Sequence, residues 1–289
     1  MVLSGLIPTH NLKGIHETAQ GTLLIAMLTT IPTTTSSTRP GSPSAGDAYF
    51  ETDTKDYIIY DGANWRVYAS DGVILTFPTS TYSASFDGVG DRIVVPQSSD
   101  LNISGSMSIS FWFQRGRAGH TAFEGVLNKN ASGSVNYSVG FRSSSDAAPN
   151  KLAFWDGSGG NLVTTTAFTS TTDKVHACFV NDGGTWYWYI NGSQDSTGTG
   201  VTITSTTTNL VLGAYDASSP NSFFSGNLDE VFIWSRALSS TEVSNIYNSK
   251  IYSTASLAAG WRLENDATDS INSNDGTNNG ATLNSGGLY

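Results

Sequence analysis

Between residues 80 and 250 the apolar positions come in short runs set apart by Gly, Asp, Asn and Ser. Ser108-Ile109-Ser110-Phe111-Trp112-Phe113 alternates and then closes on aromatics, whereas residues 175–180 alternate less cleanly. Trp186-Tyr187-Trp188-Tyr189-Ile190 runs into Asn191-Gly192, a pair suited to a tight hairpin turn. Val201-Thr202-Ile203 and residues 210–213 and 227–234 continue the series. Short alternating runs with turn residues between them predict an all-β antiparallel sandwich. One segment has a helical period instead. Ser239 is placed to cap a helix, Glu242 completes a capping box, and Val243, Ile246 and Tyr247 form one apolar stripe. This helix is predicted to end near Asn248 and to pack on the sandwich.

The first third of the chain reads differently. Residues 46–70 hold three short β-rich runs, with Asp61-Gly62 as a hairpin signal. Three strands of that size must pack on something else. Before them, Pro32-Thr33-Thr34-Thr35-Ser36-Ser37-Thr38-Arg39-Pro40-Gly41-Ser42-Pro43 is too rich in Pro, Thr and Ser to form a core and predicts an extended linker. The arm in front of the linker has two readings, a flexible terminus or an anchor on a partner or a sister subunit. The anchor is favoured because Leu23, Leu24, Ile25, Met27 and Leu28 would otherwise be exposed. The chain thus divides into an arm and linker (1–45), a small β module (46–72) and a sandwich (73–289).

Composition narrows the function. Charged residues make up 13% of the chain, about half the usual share. The 14 Lys and Arg stand against 24 Asp and Glu, a net charge of −10. Nucleic acids and anionic lipid surfaces both select basic faces, so neither is an expected partner. The longest apolar run, residues 23–28, is too short to span a bilayer. The N-terminal residues lack the pattern of a signal peptide, which fits release by lysis or export by another route. A single cysteine, Cys178, excludes a disulfide framework and a cysteine zinc site.

Candidate chemistry is sparse. Trp155, Tyr215, Phe223 and Phe224 lie in Gly-, Ser- and Asn-rich surroundings and are the candidates for a sugar-stacking platform, with packing under a loop as the competing role. Trp112, Trp188 and Trp234 sit in strand patterns and read as core. Asp229 and Glu230 are adjacent, so regular strand alternation would put them on opposite faces. His176 and Cys178 share a strand face, but the flanking Ala177 and Phe179 favour a buried, inert thiol over a nucleophile. His10, His16 and His120 show no metal spacing, and no phosphate loop is present.

Two resemblances add to this reading. Gly46-Asp47, Tyr49-Phe50 and Tyr60-Asp61-Gly62 followed by Trp65 resemble a small module of bacteriophage tail, fibre and other virion proteins. Residues 80–250 resemble the concanavalin A-like, laminin G-type jelly rolls. The residues that carry this likeness are Ser85-Phe86-Asp87-Gly88 through Asp91-Arg92-Ile93-Val94-Val95, Met107-Ser108-Ile109-Ser110-Phe111-Trp112, Lys174-Val175-His176-Ala177, Tyr189-Ile190-Asn191-Gly192 and, most specifically, Gly226-Asn227-Leu228-Asp229-Glu230-Val231-Phe232-Ile233-Trp234-Ser235-Arg236-Ala237-Leu238-Ser239.

Residues 258–282 look like the strand that usually precedes the opening motif, yet here they follow the helix. They are expected to complete the same sheet, as in a circular permutation, or that of a neighbour. The resemblance implies a structural calcium near the opening strand, with Asp87, Asp91 and Asp229 as candidate ligands; turn-capping is the plainer role for these side chains. Glycosidases of this fold class carry paired carboxylates in a Glu-x-Asp-x-x-Glu strand, which is absent, so an enzyme is not expected. Together the resemblances imply a protein of the virion surface, bound to other virion proteins through its arm, and a homo-oligomer with a homotrimer as the candidate state. The sandwich would then display a glycan-binding face, or serve as a capsid or tail decoration protein.

Overall fold

The computed structural model describes residues 80–131, 134–157 and 162–289, and before them 15–17, 23–25, 33–35, 37–44, 47–51, 56–60, 63–70 and 74–76. The chain forms two compact units, residues 1–76 with 249–256, and residues 77–248 with 257–289.

In the first unit β1 (Ile15–Glu17) and β2 (Leu23–Ile25) pair as an antiparallel ribbon. The expected anchor therefore contributes Leu23, Leu24 and Ile25 to a strand, while Met27 and Leu28 lie outside the described residues. Then follow β3 (Thr33–Thr34), β4 (Ala48–Glu51), β5 (Asp56–Tyr60), β6 (Trp65–Ser70) and β7 (Ile74–Thr76). The predicted three-stranded module is a four-stranded sheet in the order β3-β4-β5-β6. The difference is β3: Thr33 and Thr34, taken from the linker, pair in parallel with Phe50 and Glu51. An extended, β-branched backbone next to an open sheet edge has ladder bonds to gain.

The second unit is the sandwich. Its strands are β8 (Tyr82–Asp87), β9 (Arg92–Val95), β10 (Met107–Arg115), β11 (Glu124–Ala131), β12 (Ser134–Phe141), β13 (Lys151–Trp155), β14 (Leu162–Ala167), β15 (Val175–Asp182), β16 (Thr185–Ile190), β17 (Ser193–Thr199), β18 (Leu210–Leu212) and β19 (Ser225–Trp234). The helix α1 (Ser240–Ser249) comes next. β20 (Ile251–Ser253) belongs to the first unit, where it pairs with β7, and β21 (Leu257–Trp261), β22 (Thr277–Asn279) and β23 (Thr282–Ser285) return to the sandwich.

One sheet runs β17-β16-β15-β10-β19-β8-β23, with β21 also on β19, and the other runs β14-β13-β12-β11-β18-β9-β22. Between them lies the core, including Phe86, Phe111, Phe113, Tyr137, Phe141, Phe154, Phe179, Trp188, Phe224 and Trp261. Phe154 and Phe179, one from each sheet, stack at 3.8 Å.

The C-terminal segment completes the sandwich of its own chain, because β21 pairs with β19, β22 with β9 and β23 with β8. Trp261 enters the core and donates its indole N–H to the Asn274 carbonyl at 2.8 Å.

The helix starts where the capping box predicts. The Ser239 N–H donates to Glu242 at 2.8 Å, and the Glu242 N–H donates to the Ser239 hydroxyl at 3.2 Å. Val243 and Ile246 are buried. Tyr247 stacks on Trp112 at 5.6 Å, and Trp112 lies on the side of β10 away from the core. The helix therefore covers the outer face of the β10–β19 sheet.

Candidate functional site

Two constellations stand out, one on the outer face of each sheet. The first lies on the sheet that contains β11–β13. Asn128, Ser138 and Trp155 share one row across these strands, and Gly125, Gly140 and Ala153 form the next. Gly140 has no side chain, and a methyl group there would overlap the Phe123 ring. Phe123 rests in that space, edge-on to Trp155 at 4.6 Å and to Tyr215 at 5.3 Å. All three rings are half-buried. The Arg142 guanidinium stands 6.0 Å from the Trp155 ring centre and pairs with Asp146 at 2.5 Å. Beside the rings, Asp216 accepts bonds from the Ser218 N–H and hydroxyl and the Ser219 N–H, and the Asn221 side chain donates to the Ser219 carbonyl. Flat apolar faces edged by hydroxyls, amides and a carboxylate suit a ligand with both kinds of surface, such as a pyranose.

Trp155 and Tyr215, predicted from sequence, thus meet through Phe123, which sequence reasoning missed; its one sign is an aromatic in a turn just before a strand. Phe223 is half-buried, and its backbone bridges to Gly125. Phe224 is a correction. It is fully buried and contacts Phe86 and Phe141, because consecutive residues of an extended chain face opposite ways. A separate depression of about 240 Å³ has Phe113, Phe168, Val175 and Ile190 among its apolar lining and Thr169, Ser170, Asp173 and Asn191 among its polar lining.

The second constellation is carboxylate-rich. The expected calcium set does not assemble, which is a second correction. Asp87 pairs in register with Ser225, so Asp229 lies four residues further along β19, about 13 Å away. The Asp87 carboxylate accepts the N–H groups of Val89, Gly90 and Asp91, and these bonds hold its pKa below the ordinary value. The Asp91 carboxylate accepts the Asp87 N–H. Both therefore act as turn caps.

Asp229 instead joins Glu230 and Glu264, with one carboxylate oxygen from each within 4.8 Å of the others. A β-bulge makes this possible. Ser110 faces Phe232 and Trp112 faces Asp229, so two residues of β19 oppose one of β10. Glu230 takes a left-handed backbone with φ 47°. Leu228 and Val231 point into the core, and both acids between them lie off it. The expected opposition of Asp229 and Glu230 is cancelled by that bulge.

Asp229 accepts the Ser80 hydroxyl at 2.6 Å and the Leu288 N–H at 2.8 Å. Glu230 accepts Arg262 at 3.1 Å and the Tyr289 hydroxyl at 3.2 Å. Glu264 accepts the Thr81 hydroxyl and N–H, and Arg262 at 3.3 Å. Burial pushes Asp229 up to about 7 and Glu230 up to about 8.

Cys178 and His176 are both fully buried, and His176 shares a 2.8 Å bond with the Ser110 hydroxyl. Burial raises the thiol well above its ordinary pKa, so the pair offers no nucleophile.

The fold has relatives. A Bacteroides ovatus protein described as carbohydrate binding is 15% identical with a TM-score of 0.59, over 84% of this chain and 70% of that one. The heptameric SAP-like pentraxin of Limulus polyphemus is 14% identical with a TM-score of 0.54, over 73% of this chain and 98% of that one. No curated protein matches the chain in sequence. Residues 87–244, more than half of the 289, match the family described as the concanavalin A-like lectin/glucanases superfamily. The chain belongs to that superfamily, in its laminin G-like branch.

Proposed function

We propose that the sandwich is a non-enzymatic glycan-binding module, with the Phe123–Trp155–Tyr215 cluster as its contact face. The carrying observation is the placement of three half-buried rings on an outer sheet face, beside a loop of hydroxyl and amide groups. The description of the Bacteroides ovatus relative as carbohydrate binding supports the same reading. The non-enzymatic part rests on the carboxylates. Asp229 and Glu230 are buried and bonded to the chain's own last residues, so they do not flank a space for a scissile bond.

Binding to a glycan array, lost on Trp155→Ala with the fold retained, is the expected result. An array without binding would overturn this reading and leave the decoration role. The module pattern from Gly46 to Trp65 supports display on a bacteriophage virion, attached through residues 23–28 to other virion proteins, as a homo-oligomer for which a trimer is the state to test. Labelling intact particles with an antibody to the sandwich tests the location, and sedimentation of the purified chain tests the trimer. Several copies would let weak sugar contacts add through avidity.

A further inference from the structure

We propose that the depression beside the 168–174 connection is a binding site for one neutral pyranose ring, separate from the Phe123–Trp155–Tyr215 face. It does not rest on that face, and either site can exist without the other.

The topology makes the depression. β14 lies in one sheet and β15 in the other, so residues 168–174 cross from sheet to sheet. The crossing and the turn at Asn191, between β16 and β17, leave part of the core lining open to solvent. Phe113 and Phe168 meet edge-on at 5.2 Å, and with Val175 and Ile190 they give the lining its apolar part. Thr169, Ser170, Asp173 and Asn191 give it a polar part.

The walls are fixed by bonds within the chain. Arg115 donates to the Phe168 carbonyl at 2.9 Å, and the Phe168 N–H donates to the Asn150 carbonyl at 2.9 Å. Gln114 donates to the Thr171 carbonyl at 3.0 Å, and the Ser170 hydroxyl accepts the Asp173 N–H at 3.2 Å. Asn191 Oδ1 accepts the His176 N–H at 3.0 Å. A site already ordered spares its ligand the cost of ordering it.

The groups left over set the ligand's chemistry. Among the described residues, the Asn191 side-chain N–H groups and the Asp173 carboxylate have no partner within the chain. Lys174, next to Asp173, gives its ammonium to the Gly287 carbonyl at 2.8 Å instead. An amide donor and a carboxylate acceptor beside apolar surface match a sugar ring, whose hydroxyls donate and accept and whose C–H face is apolar. The depression holds about 240 Å³. Pockets for drug-sized ligands start at about 300 Å³, so the occupant is one ring and not an oligosaccharide. The carboxylate disfavours an acidic sugar. It also holds an ammonium poorly, because Asp173 is exposed and exposed ion pairs contribute little in water.

The test titrates D-glucose, D-galactose, D-mannose and N-acetyl-D-glucosamine into the full chain and follows the amide spectrum by NMR. At least one sugar is expected to shift the Asn191 side-chain N–H groups and the Thr169 and Ser170 backbone amides saturably. The Kd should be millimolar, as suits a ligand of about twelve to fifteen non-hydrogen atoms. Asp173→Asn, at an exposed position that tolerates the change, should weaken this binding about tenfold, since a charged acceptor is lost. Asn191→Gly should weaken it as well; glycine accepts the φ of 50° at this turn. Trp155→Ala should leave the Kd unchanged. No saturable shift at these amides with any of the four sugars would overturn the site. So would a Kd unaltered in both Asp173→Asn and Asn191→Gly, or equal shifts from propylammonium chloride at the same concentration. Shifts confined to the Trp155 indole N–H would support the ring face and remove this site, whereas shifts around Asn191 without a response at Trp155 would support this site and count against the ring face.

Discussion

The two outer faces of the sandwich solve opposite problems with related residues. The face of the β10–β19 sheet is closed. Trp112 lies under Tyr247 of α1 and beside Tyr289, and the acids of β19 are bonded by the tail. The face of the β11–β13 sheet carries rings that stay half-exposed around Phe123, standing over the bare backbone of Gly140. The first face turns its aromatics and charges inward for cohesion; the second presents its aromatics outward. Fold membership does not decide which face does which. The covering segments do: a helix and a C-terminal tail on one side, and a short polar loop on the other.

The largest effect on this contrast comes from removing the cover. Deleting residues 258–289 takes away β22, β23, nearly all of β21, the buried Trp261 and one of the two strand neighbours of both β8 and β9. The truncated chain is expected to lose cooperative thermal unfolding, measured by circular dichroism. A sharp transition at the wild-type temperature would show that the tail is an accessory and that the closed face is closed by α1 alone.

Matched tryptophan deletions come next. Trp112→Ala removes contacts to Tyr247, His176 and Tyr289 and should cost about 3–5 kcal/mol in chemical denaturation. Trp155→Ala removes a half-exposed ring with one edge contact to Phe123 and should cost about 1 kcal/mol. Glycan binding should move the other way. Trp155→Ala is expected to weaken it by about tenfold or more, a loss of about 1.4 kcal/mol, with Trp112→Ala leaving it unchanged where the fold survives. Equal stability costs, or a binding loss confined to Trp112→Ala, would reverse the assignment of the two faces.

Much of the closed face was legible in the sequence. The capping box at Ser239 and Glu242, the apolar stripe on α1 and the strand-like residues 227–234 all stand as read. What alternation could not reveal was the bulge. Whether Glu230 sits in a regular ladder depends on its register with Phe111, a long-range pairing that no local pattern encodes. Glu264 was hidden for a similar reason, since thirty-four positions separate it from Glu230 and only β21 on β19 brings them together. On the open face, loop composition found Trp155 and Tyr215 but could not tell Phe223 from Phe224. The choice between adjacent rings is made by the phase with which the loop enters β19.

The smallest test concerns the cap of the helix that closes the first face. Burial pulls the Glu242 carboxyl upward, but Arg236 at 2.5 Å and the Ser239 N–H and hydroxyl outweigh it, so its pKa lies below the ordinary value. A carboxyl with a depressed folded pKa adds stability above its unfolded pKa and loses it as the pH falls through the folded value. Glu242→Gln keeps the shape and removes the charge, so it should cost about 1 kcal/mol at pH 7, measured by urea unfolding. The gap to wild type should hold at mildly acidic pH and close as the pH falls below the folded pKa of Glu242, where the wild-type carboxyl is itself neutral. A gap that persists there would mean that the glutamate acts through packing, and that α1 holds its face through Tyr247, Val243 and Ile246 without help from its cap.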